Sequence, residues 1–490
     1  MRMLFGTDGI RGVAGDPPLD HMTVFAVGAA LGRSLTHPAP TSDARVRHPA
    51  DQGTRIVIGQ DTRESSGWIA ESLTGGLESA GAEVESAGVI TTPAIAYLAR
   101  GGFAAGVVIS ASHNPWTDNG IKIFGHDGYK LSDEREEKLE GDIFALLHGN
   151  ELRSANPRPT NTALGGPPQS RDEGGAAANG APQAAAPECN PELLRKYAAW
   201  LGENVRATRL SGVRALVDCA NGAATPVAHE IFRACGVEAK FMHDRPNGRN
   251  INEKCGALYP QTVAGAVAVQ RGTFDLGITF DGDADRALFS DNHGNVVNGD
   301  AILLVASRDM KSRGLLKGDT VVATTMSNMG LEIALRDSGI RMLRAAVGDK
   351  YVLEEMRKTG ATLGGEQSGH IIFRDGDSTT GDGLLTALRV MEIMARTGKP
   401  LDELAKGLKV FPQTIKNVRV REKKPFEEFP EVMRAIRAAE EELHGNGRVV
   451  VRYSGTEALA RVMVEAETEV KMRRITDNIA EEIGKALGIG

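Results

Sequence analysis

The chain has 490 residues, more than one ordinary hydrophobic core supports, so three or four domains around a cleft are expected. A content of 41% hydrophobic and 25% charged residues is typical of a soluble globular protein. The formal charge of -7 is spread without a basic block, which argues against nucleic acid or an anionic membrane surface as a partner. The amino terminus lacks a signal-peptide pattern and no apolar run reaches membrane-spanning length, so we predict a cytoplasmic location. The four cysteines form no CxxC pair and are expected to be reduced thiols.

In chain order, short β-branched runs alternate with longer helical patterns. The predicted strands of this part are Arg55–Gly59, Gly106–Ser110, Val213–Asp218, Leu276–Phe280 and Thr320–Thr324. This rhythm indicates βαβ units with buried, largely parallel strands, in three successive blocks. Two segments rich in small and polar residues, 37–53 and 156–187, interrupt the rhythm. The second has no apolar set that could offset the entropy of ordering, so we predict a flexible insertion.

After Pro412 the pattern changes to that of a small α+β domain. It predicts strands at Ile415–Arg421, Arg448–Arg452 and Arg461–Glu465, and helices at Glu427–Leu443 and Glu469–Leu487. The predicted boundaries are 1–155 for a first α/β domain, 156–188 for the insertion, 189–299 and 300–412 for two further α/β domains, and 413–490 for the last domain.

Two polar clusters directly follow predicted strands, where α/β sheets bind ligands. The first is Ser110–Pro115, which contains Ser112 and His113; a lone serine at such a place could simply cap the next turn. The second is Asp281–Arg286, in which three carboxylates at alternate positions repel one another unless a cation lies between them. An EF-hand is excluded because the required glycine and glutamate are missing, and ligands that are all oxygen suit Mg²⁺.

Two further clusters have the residue types that bind sugars and phosphates. Glycines and polar side chains in Gly364–His370 let the backbone approach a ligand and offer donors and acceptors to sugar hydroxyls, although an ordinary glycine-rich turn would look similar. In the last domain, Arg452–Glu457 combines a guanidinium, hydroxyls and exposed amides, which suit a phosphate dianion. Its spacing is not that of a P-loop, so no nucleotide is implied.

Together with Phe5–Gly12, these clusters closely resemble the α-D-phosphohexomutase superfamily, over the whole chain except the two low-complexity segments. The resemblance implies an α/β fold of four domains around a central cleft: three similar mixed-sheet α/β domains and a smaller C-terminal α+β domain. It implies that Ser112 is the phosphoserine and that Ser112, Asp281, Asp283 and Asp285 hold one Mg²⁺ per chain. The substrate-binding residues it implies are Arg11, Glu366, Ser368, His370, Arg452, Ser454, Gly455, Thr456 and Arg461.

Within the superfamily, Asn250–Asn252, Met326–Asn328, Val347–Val352 and Gly365–His370 are most similar to the bacterial phosphoglucosamine mutases. This finer resemblance implies interconversion of glucosamine 6-phosphate and glucosamine 1-phosphate through a 1,6-bisphosphate, feeding UDP-N-acetylglucosamine and cell-wall precursor synthesis. Phosphomannomutase or phosphoglucomutase specificity is the alternative, and Gln367 favours the amino sugar. Glucosamine or glucose 1,6-bisphosphate is the candidate primer. One departure from the family pattern is Tyr453, which replaces a usual lysine.

The hydroxyl that exchanges the phosphoryl group with the serine needs a base in one direction and an acid in the other. Lys122 is the first candidate and His113 the second, while Arg286 is expected to neutralise charge on the transferring group. A metal-dependent phosphatase and a sugar-phosphate sensor are more distant alternatives. A homodimer and an activating kinase are open options, and the first phosphorylation of Ser112 could equally be autocatalytic or come from a bisphosphate.

Overall fold

The structure is a computed structural model that describes residues 4–6, 8–36, 54–149, 187–205, 210–376, 378–454 and 458–488. Segment 37–53 and residues 156–186, where the sequence predicts low-complexity insertions, lie outside these ranges. The described strands are β1 (Phe5–Gly6), β2 (Gly9–Val13), β3 (Arg55–Gln60), β4 (Glu83–Val89), β5 (Ala105–Ile109), β6 (Asp118–Gly125), β7 (Arg214–Asp218), β8 (Glu238–Met242), β9 (Leu276–Phe280), β10 (Ala287–Ser290), β11 (Val296–Val297), β12 (Thr320–Thr324), β13 (Arg341–Ala345), β14 (Leu363–Gly365), β15 (Ile371–Phe373), β16 (Gln413–Arg419), β17 (Gly447–Tyr453) and β18 (Leu459–Ala466).

The helices between them have the lengths expected of connections in α/β domains. The described α-helices are α1 (His21–Thr36), α2 (Ser66–Ser79), α3 (Thr92–Ala99), α4 (Asp133–His148), α5 (Pro191–Glu203), α6 (Ala224–Cys235), α7 (Pro260–Val269), α8 (Gly299–Ser312), α9 (Met329–Asp337), α10 (Asp349–Thr359), α11 (Gly383–Thr397), α12 (Leu401–Leu404), α13 (Pro430–Leu443) and α14 (Glu469–Leu487). Short 3₁₀ turns lie at Gly256–Leu258, Lys317–Asp319 and Phe426–Glu428. In the described part of the chain, no helix is long and apolar enough to cross a membrane.

Four sheets define four domains, I to IV in chain order. The sheet of domain I has the order β1-β2-β6-β5-β3-β4, that of domain II β11-β10-β9-β7-β8, and that of domain III β13-β12-β14-β15. Strands β5, β9 and β12 are buried at every residue, as the sequence predicts for strands covered on both faces. The expectation of largely parallel strands is only half right, because each sheet of domains I to III combines a parallel core with antiparallel strands.

The parallel strands of each sheet are the three-strand groups β4-β3-β5, β8-β7-β9 and β13-β12-β14. An antiparallel strand is added to one side of each group: β6 beside β5, β10 beside β9 and β15 beside β14. Each of these pairs is joined by one short loop. The three loops are the serine, aspartate and sugar clusters of the sequence, so the three domains present their candidate site residues in the same way.

Domain IV is a three-stranded antiparallel sheet, in the order β16-β18-β17, covered by α13 and α14. The predicted helix Glu469–Leu487 is confirmed at both ends, and the predicted helix Glu427–Leu443 is divided into a 3₁₀ turn and α13, which begins at Pro430. Proline is well suited to the first helical position because its missing N–H has no partner there. The domain has a hydrophobic core of its own.

Candidate active site

Ser112 lies in the loop between β5 and β6 and is held from two domains. Its backbone φ is 52°, in the left-handed region that non-glycine residues rarely adopt. The Ser112 amide donates to Ser110 Oγ over 2.9 Å. Its carbonyl oxygen accepts from Arg63 Nη2 over 3.1 Å and from Asn252 Nδ2, in domain II, over 2.9 Å. These contacts offset the backbone strain and hold the backbone of Ser112 in this conformation.

The aspartate loop, between β9 and β10, packs directly against the serine loop. Gly282 makes this approach possible, since a Cβ at this position would fall 2.4 Å from the Ser112 carbonyl oxygen. Ser112 Oγ donates a hydrogen bond of 2.6 Å to Asp281 Oδ2. Thr92 Oγ1 and Lys122 Nζ both contact Asp283 Oδ2, over 2.6 and 2.8 Å. The expected phosphoserine and the carboxylates therefore form one site.

The three carboxylates fit a divalent cation. One oxygen atom from each of Asp281, Asp283 and Asp285 lies within 4.8 Å of the other two, and all three residues are buried. Oδ1 of Asp283 and Oδ1 of Asp285 have no hydrogen-bond partner among the described residues, which is rare for buried oxygens. Burial and repulsion from Asp285 and Asp283 raise the pKa of Asp281. A hard cation between the carboxylates would supply the missing partner and remove the repulsion.

Lys122 lies on β6 and is an electrostatic partner of this carboxylate group. Its Nζ is 2.8 Å from Asp283 Oδ2 and 3.1 Å from Asp8 Oδ2, and its side chain is 1% exposed. Burial acts to lower the pKa of Lys122, but Asp283, Asp8 and Asp285 outweigh burial and raise the pKa above its usual value. The ammonium group of Lys122 is thus placed to neutralise charge at the aspartate loop.

The surroundings of His113 shift its pKa in the opposite direction to that of Lys122. Its Nδ1 lies 3.4 Å from Ser112 Oγ. Burial, followed by the charges of Arg286 and Arg11, lowers the pKa of His113, so the imidazole is neutral near neutral pH and can accept a proton. Arg286 itself is fixed at the cavity wall, because its backbone amide donates to Asp281 Oδ1 over 3.1 Å.

A cavity of about 760 Å³ opens in front of the three loops, at the junction of domains I, II and III. This volume lies within the range of small-ligand sites. The predicted site residues that line it are Arg11, His113, Asp285, Arg286, Glu366 and His370. The predicted site residues in the described part of the chain that do not line it are Ser112, Lys122, Asp281, Asp283, Ser368, Arg452, Ser454 and Arg461.

The sugar loop, between β14 and β15, is held in shape by hydrogen bonds. Glu366 Oε1 accepts from the Gly348 amide over 3.0 Å, and Ser368 Oγ donates to Glu366 Oε2 over 3.4 Å. The Gly381 amide donates to His370 Nε2 over 3.1 Å, so the proton of a neutral His370 is on Nδ1, which is 3.6 Å from Asp285 Oδ2. Two polar side chains of the loop are thus fixed towards the cavity and the aspartate loop.

Gln367 belongs to a chain of contacts that reaches domain IV. Its Nε2 donates to Asp300 Oδ2 over 3.1 Å, and the same oxygen accepts from the Asn328 amide over 2.8 Å. Asn328 Nδ2 in turn donates to Glu465 Oε1 on β18 over 3.3 Å. The amide nitrogen of Gln367 is therefore used to support the loop.

Two arginines of domain IV face each other across neighbouring strands. Arg452 on β17 is registered directly opposite Arg461 on β18, a like-charge pairing that destabilises a sheet. Arg452 is exposed and makes no hydrogen bond or ion pair with any described residue, while Arg461 Nη2 donates to Ser454 Oγ over 3.3 Å. A dianion would relieve this repulsion. Gly455 and Thr456, also predicted for this site, lie outside the described residues.

Tyr453, which replaces a usual lysine, packs against other residues of domain IV. The Tyr453 ring stacks on Phe426 with 4.4 Å between centroids, and its hydroxyl donates to the Lys424 carbonyl oxygen over 2.5 Å. Lys423 Nζ donates to the Ser454 carbonyl oxygen over 2.7 Å. An ammonium group thus lies next to the predicted phosphate loop although position 453 carries none.

Several residues of the site were missed from the sequence. Lys130 bridges Asp8 and Asp349, joining domains I and III at the cavity. Asp61 and Arg63 form a fully buried ion pair beneath the serine loop. Asp61 and Arg63 follow the predicted strand Arg55–Gly59, so the rule that ligands bind at the carboxyl ends of strands could have found them.

Comparisons with known proteins agree with this architecture. Four models of phosphoglucomutase/phosphomannomutase match in order: alpha/beta/alpha domain I at residues 2–148, domain II at 195–294, domain III at 298–411 and the C-terminal domain at 415–482. The chain belongs to the phosphoglucomutase/phosphomannomutase family. The family is an enzyme family, and its four-domain organisation is the fold class expected from the sequence.

Relatives with closely similar sequences carry a single name. The phosphoglucosamine mutase of Koribacter versatilis is 60% identical over 490 residues, covering 100% of this chain and 98% of the relative. That of Solibacter usitatus is 49% identical over 486 residues, covering 99% of each chain.

Solved structures at lower identity share the fold. A phosphoglucomutase/phosphomannomutase family protein from Burkholderia thailandensis has a TM-score of 0.72 and 23% identity, covering 99% of both chains. The N-acetylphosphoglucosamine mutase of Aspergillus fumigatus, solved with GlcNAc-6P and magnesium, has a TM-score of 0.60 and 19% identity, covering 99% of this chain and 96% of that one.

Proposed function

We propose that this chain is a phosphoglucosamine mutase, which interconverts glucosamine 6-phosphate and glucosamine 1-phosphate through phosphorylated Ser112. The observation that carries the chemistry is the 2.6 Å contact of Ser112 Oγ with Asp281 Oδ2, on a carboxylate group that fits a metal ion. The name of full-length relatives at 60% and 49% identity supports the amino-sugar substrate. The family itself also contains phosphoglucomutases and phosphomannomutases, which are the alternative specificities.

A phosphoserine solves a geometric problem of this reaction. The two sugar oxygens that exchange the phosphoryl group lie on opposite sides of the ring, so direct transfer within one molecule is strained. Phosphorylated Ser112 gives its group to the free hydroxyl of the sugar phosphate, and a 1,6-bisphosphate results. After the bisphosphate reorients, its other phosphate returns to Ser112 and the isomerised monophosphate leaves.

Charge neutralisation is the main demand of phosphoryl transfer. Asp281, Asp283 and Asp285 would hold Mg²⁺, which supplies positive charge to the phosphoserine when bound. Lys122 and Arg286 add fixed positive charge at the aspartate loop. With such a cation bound, the site would present preorganised positive charge to the phosphoserine without having to reorganise water.

His113 fits the acid and base steps at the serine oxygen better than Lys122 does. When the serine attacks, its hydroxyl proton goes to the neutral imidazole, whose Nδ1 is 3.4 Å away. In the reverse transfer the imidazolium returns that proton to the leaving serine oxygen. The test is the acidic limb of kcat/KM, which should disappear in His113→Gln; a limb that persists would remove His113 from this role.

Domain IV would hold the phosphate that is not reacting. Its Arg452 and Arg461 do not line the cavity formed by domains I to III, and the domain has a separate core. We therefore infer that domain IV closes over the bound sugar phosphate, which also keeps water from the phosphoserine. Small-angle scattering should show a smaller radius of gyration with saturating bisphosphate, and an unchanged radius would contradict closure.

The decisive experiment offers glucosamine, glucose and mannose 6-phosphates in parallel, with Mg²⁺ and a trace of glucose 1,6-bisphosphate as primer. We expect fastest turnover of glucosamine 6-phosphate, and loss of turnover when Mg²⁺ is chelated. Faster turnover of another sugar would keep the chemistry and overturn the substrate. Release of inorganic phosphate alone would show that the chain acts as a phosphatase and not as a mutase.

The cytoplasmic location, a homodimer and an activating kinase stay predictions.

A further inference from the structure

A second group of metal-ligating side chains lies in domain II, outside the aspartate loop. Asp218 ends β7, His243 directly follows the parallel neighbour β8, and Cys255 precedes the 3₁₀ turn Gly256–Leu258. One ligand atom from each of the three residues lies within 4.8 Å of the other two. Asp218 and Cys255 are fully buried, and the His243 side chain is 30% exposed. The group therefore has two buried ligands and one side open to solvent.

The imidazole and the carboxylate are placed as two ligands of one ion. His243 Nδ1 lies 3.1 Å from Asp218 Oδ2, an ion-pair contact whose geometry falls outside that of a well-aligned hydrogen bond. Nitrogen and oxygen ligands at about 2.0–2.1 Å from a tetrahedral ion are separated by about 3.3 Å. The observed spacing is close to that separation, so the two atoms are placed as two ligands of one cation would be.

The surroundings support two of the three ligands, Asp218 and Cys255, from behind. The amides of Ala220 and Gly256 donate to Asp218 Oδ1 and Oδ2 over 2.8 and 3.0 Å. Asn221 Nδ2 donates to Cys255 Sγ over 3.9 Å. Ligating carboxylates and thiolates in metal sites commonly accept such additional hydrogen bonds, which orient them and stabilise their charge. These donors thus fit a carboxylate and a thiolate bound to a cation.

We propose that Asp218, His243 and Cys255 bind one divalent cation of the Zn²⁺ type, with water in the fourth position. Sulfur and imidazole nitrogen select such a cation over Mg²⁺, whereas the aspartate loop offers oxygen atoms alone. On binding, a bond forms between the cation and Cys255 Sγ, and the thiol proton passes to solvent. The two sites are therefore occupied by different metals, and this inference does not depend on the proposed function.

The proposed site is connected to the serine loop. Asn252, in the same turn as Cys255, donates from its amide to the Ala220 carbonyl oxygen over 3.0 Å. Its side chain donates to the carbonyl oxygen of Ser112 over 2.9 Å. A cation that ties this turn to the ends of β7 and β8 would hold Asn252, and through it Ser112, in place. Zn²⁺ would then stabilise the support of the serine without touching the reacting atoms.

The test uses Co²⁺ as a spectroscopic substitute in the chelator-treated full chain, with excess Mg²⁺ present to occupy hard-ligand sites. We expect one Co²⁺ per chain, with visible d–d bands of tetrahedral intensity and a thiolate-to-cobalt charge-transfer band. Cys255→Ser should remove the charge-transfer band and weaken binding at least 100-fold. The matched control is Cys189→Ser, which changes an exposed cysteine outside the group and should leave the spectrum unchanged.

His243→Gln provides a variant on the open side of the site, where the fold is least disturbed. It should weaken Co²⁺ binding at least 10-fold while circular dichroism and the melting temperature without metal stay at the wild-type values. Absence of the charge-transfer band in the wild-type chain would overturn the proposal. So would a band that survives Cys255→Ser, or one that disappears in Cys189→Ser.

Discussion

Replacing Arg452 by alanine tests the role of domain IV most sharply. Arg452 is exposed, opposes Arg461 across the sheet and makes no hydrogen bond or ion pair with a described residue. One charge-assisted contact with a phosphate is worth about 1.5–3 kcal/mol, and each 1.4 kcal/mol is a factor of ten. We therefore expect Arg452→Ala to raise the KM for the sugar phosphate about 10- to 150-fold. Because the phosphate is held in both ground and transition states, kcat should change much less.

We do not expect the same substitution to destabilise the protein. Removing one of two opposed arginines relieves a repulsion of about 0.2–1 kcal/mol, so the melting temperature of Arg452→Ala should be unchanged or slightly higher. Arg419→Ala, an exposed arginine on β16 of the same sheet, is the matched control and should leave KM unchanged. Initial rates over a range of substrate concentrations give KM and kcat for both variants, and melting curves give their melting temperatures. An unchanged KM, or a loss explained by unfolding, would refute the assignment.

Two further predictions concern buried carboxylates. Asp300→Ala leaves the Gln367 and Asn328 donors without their acceptor, so kcat/KM should fall about 10-fold or more. Asp300→Asn keeps an acceptor oxygen and should retain most of the activity. Equal losses of kcat/KM in the two variants would contradict this explanation. Burial raises the pKa of Asp382 from 3.8 to about 6, so the folded state keeps a proton that the unfolded chain releases. The protonated carboxyl stabilises the folded state by up to about 3 kcal/mol. This stabilisation is complete when the pH is below the pKa of Asp382 in the unfolded chain, and it is lost as the pH rises through the pKa of Asp382 in the folded state. Denaturant midpoints measured across this window should fall with pH in the wild type and stay flatter in Asp382→Asn.

That Ser112 and the aspartate loop each belong to a ligand site could be predicted, because both follow apolar strands and α/β sheets bind ligands at the carboxyl ends of their strands. Their joining into one site was implied by the family resemblance alone, because the two strands belong to the sheets of different domains. The antiparallel direction of β6, β10 and β15 could not be predicted in the same way. Alternating polarity reports which face of a strand is buried, but not the direction of its neighbour.

The supporting contacts of the site depend on pairs far apart in the chain. Asn252 reaches Ser112 across 140 positions, and Asn328 reaches Glu465 across 137. No local spacing reports such pairs, because they arise only when separate domains pack together. Residue chemistry alone also made Lys122 a candidate base. Its surroundings could not be predicted from the sequence: the carboxylates of Asp283 and Asp8 lie beside its ammonium group and raise its pKa.

The central claim is that the phosphoryl group passes through Ser112. The chain should be incubated with radiolabelled glucose 1,6-bisphosphate and Mg²⁺, and the labelled residue located by mass spectrometry. We predict label on Ser112 that moves to the sugar when unlabelled glucosamine 6-phosphate is added, no label in Ser112→Ala, and normal labelling in Thr117→Ala, which removes an exposed hydroxyl from the same loop. Turnover by Ser112→Ala, or label released only as inorganic phosphate, would contradict the account.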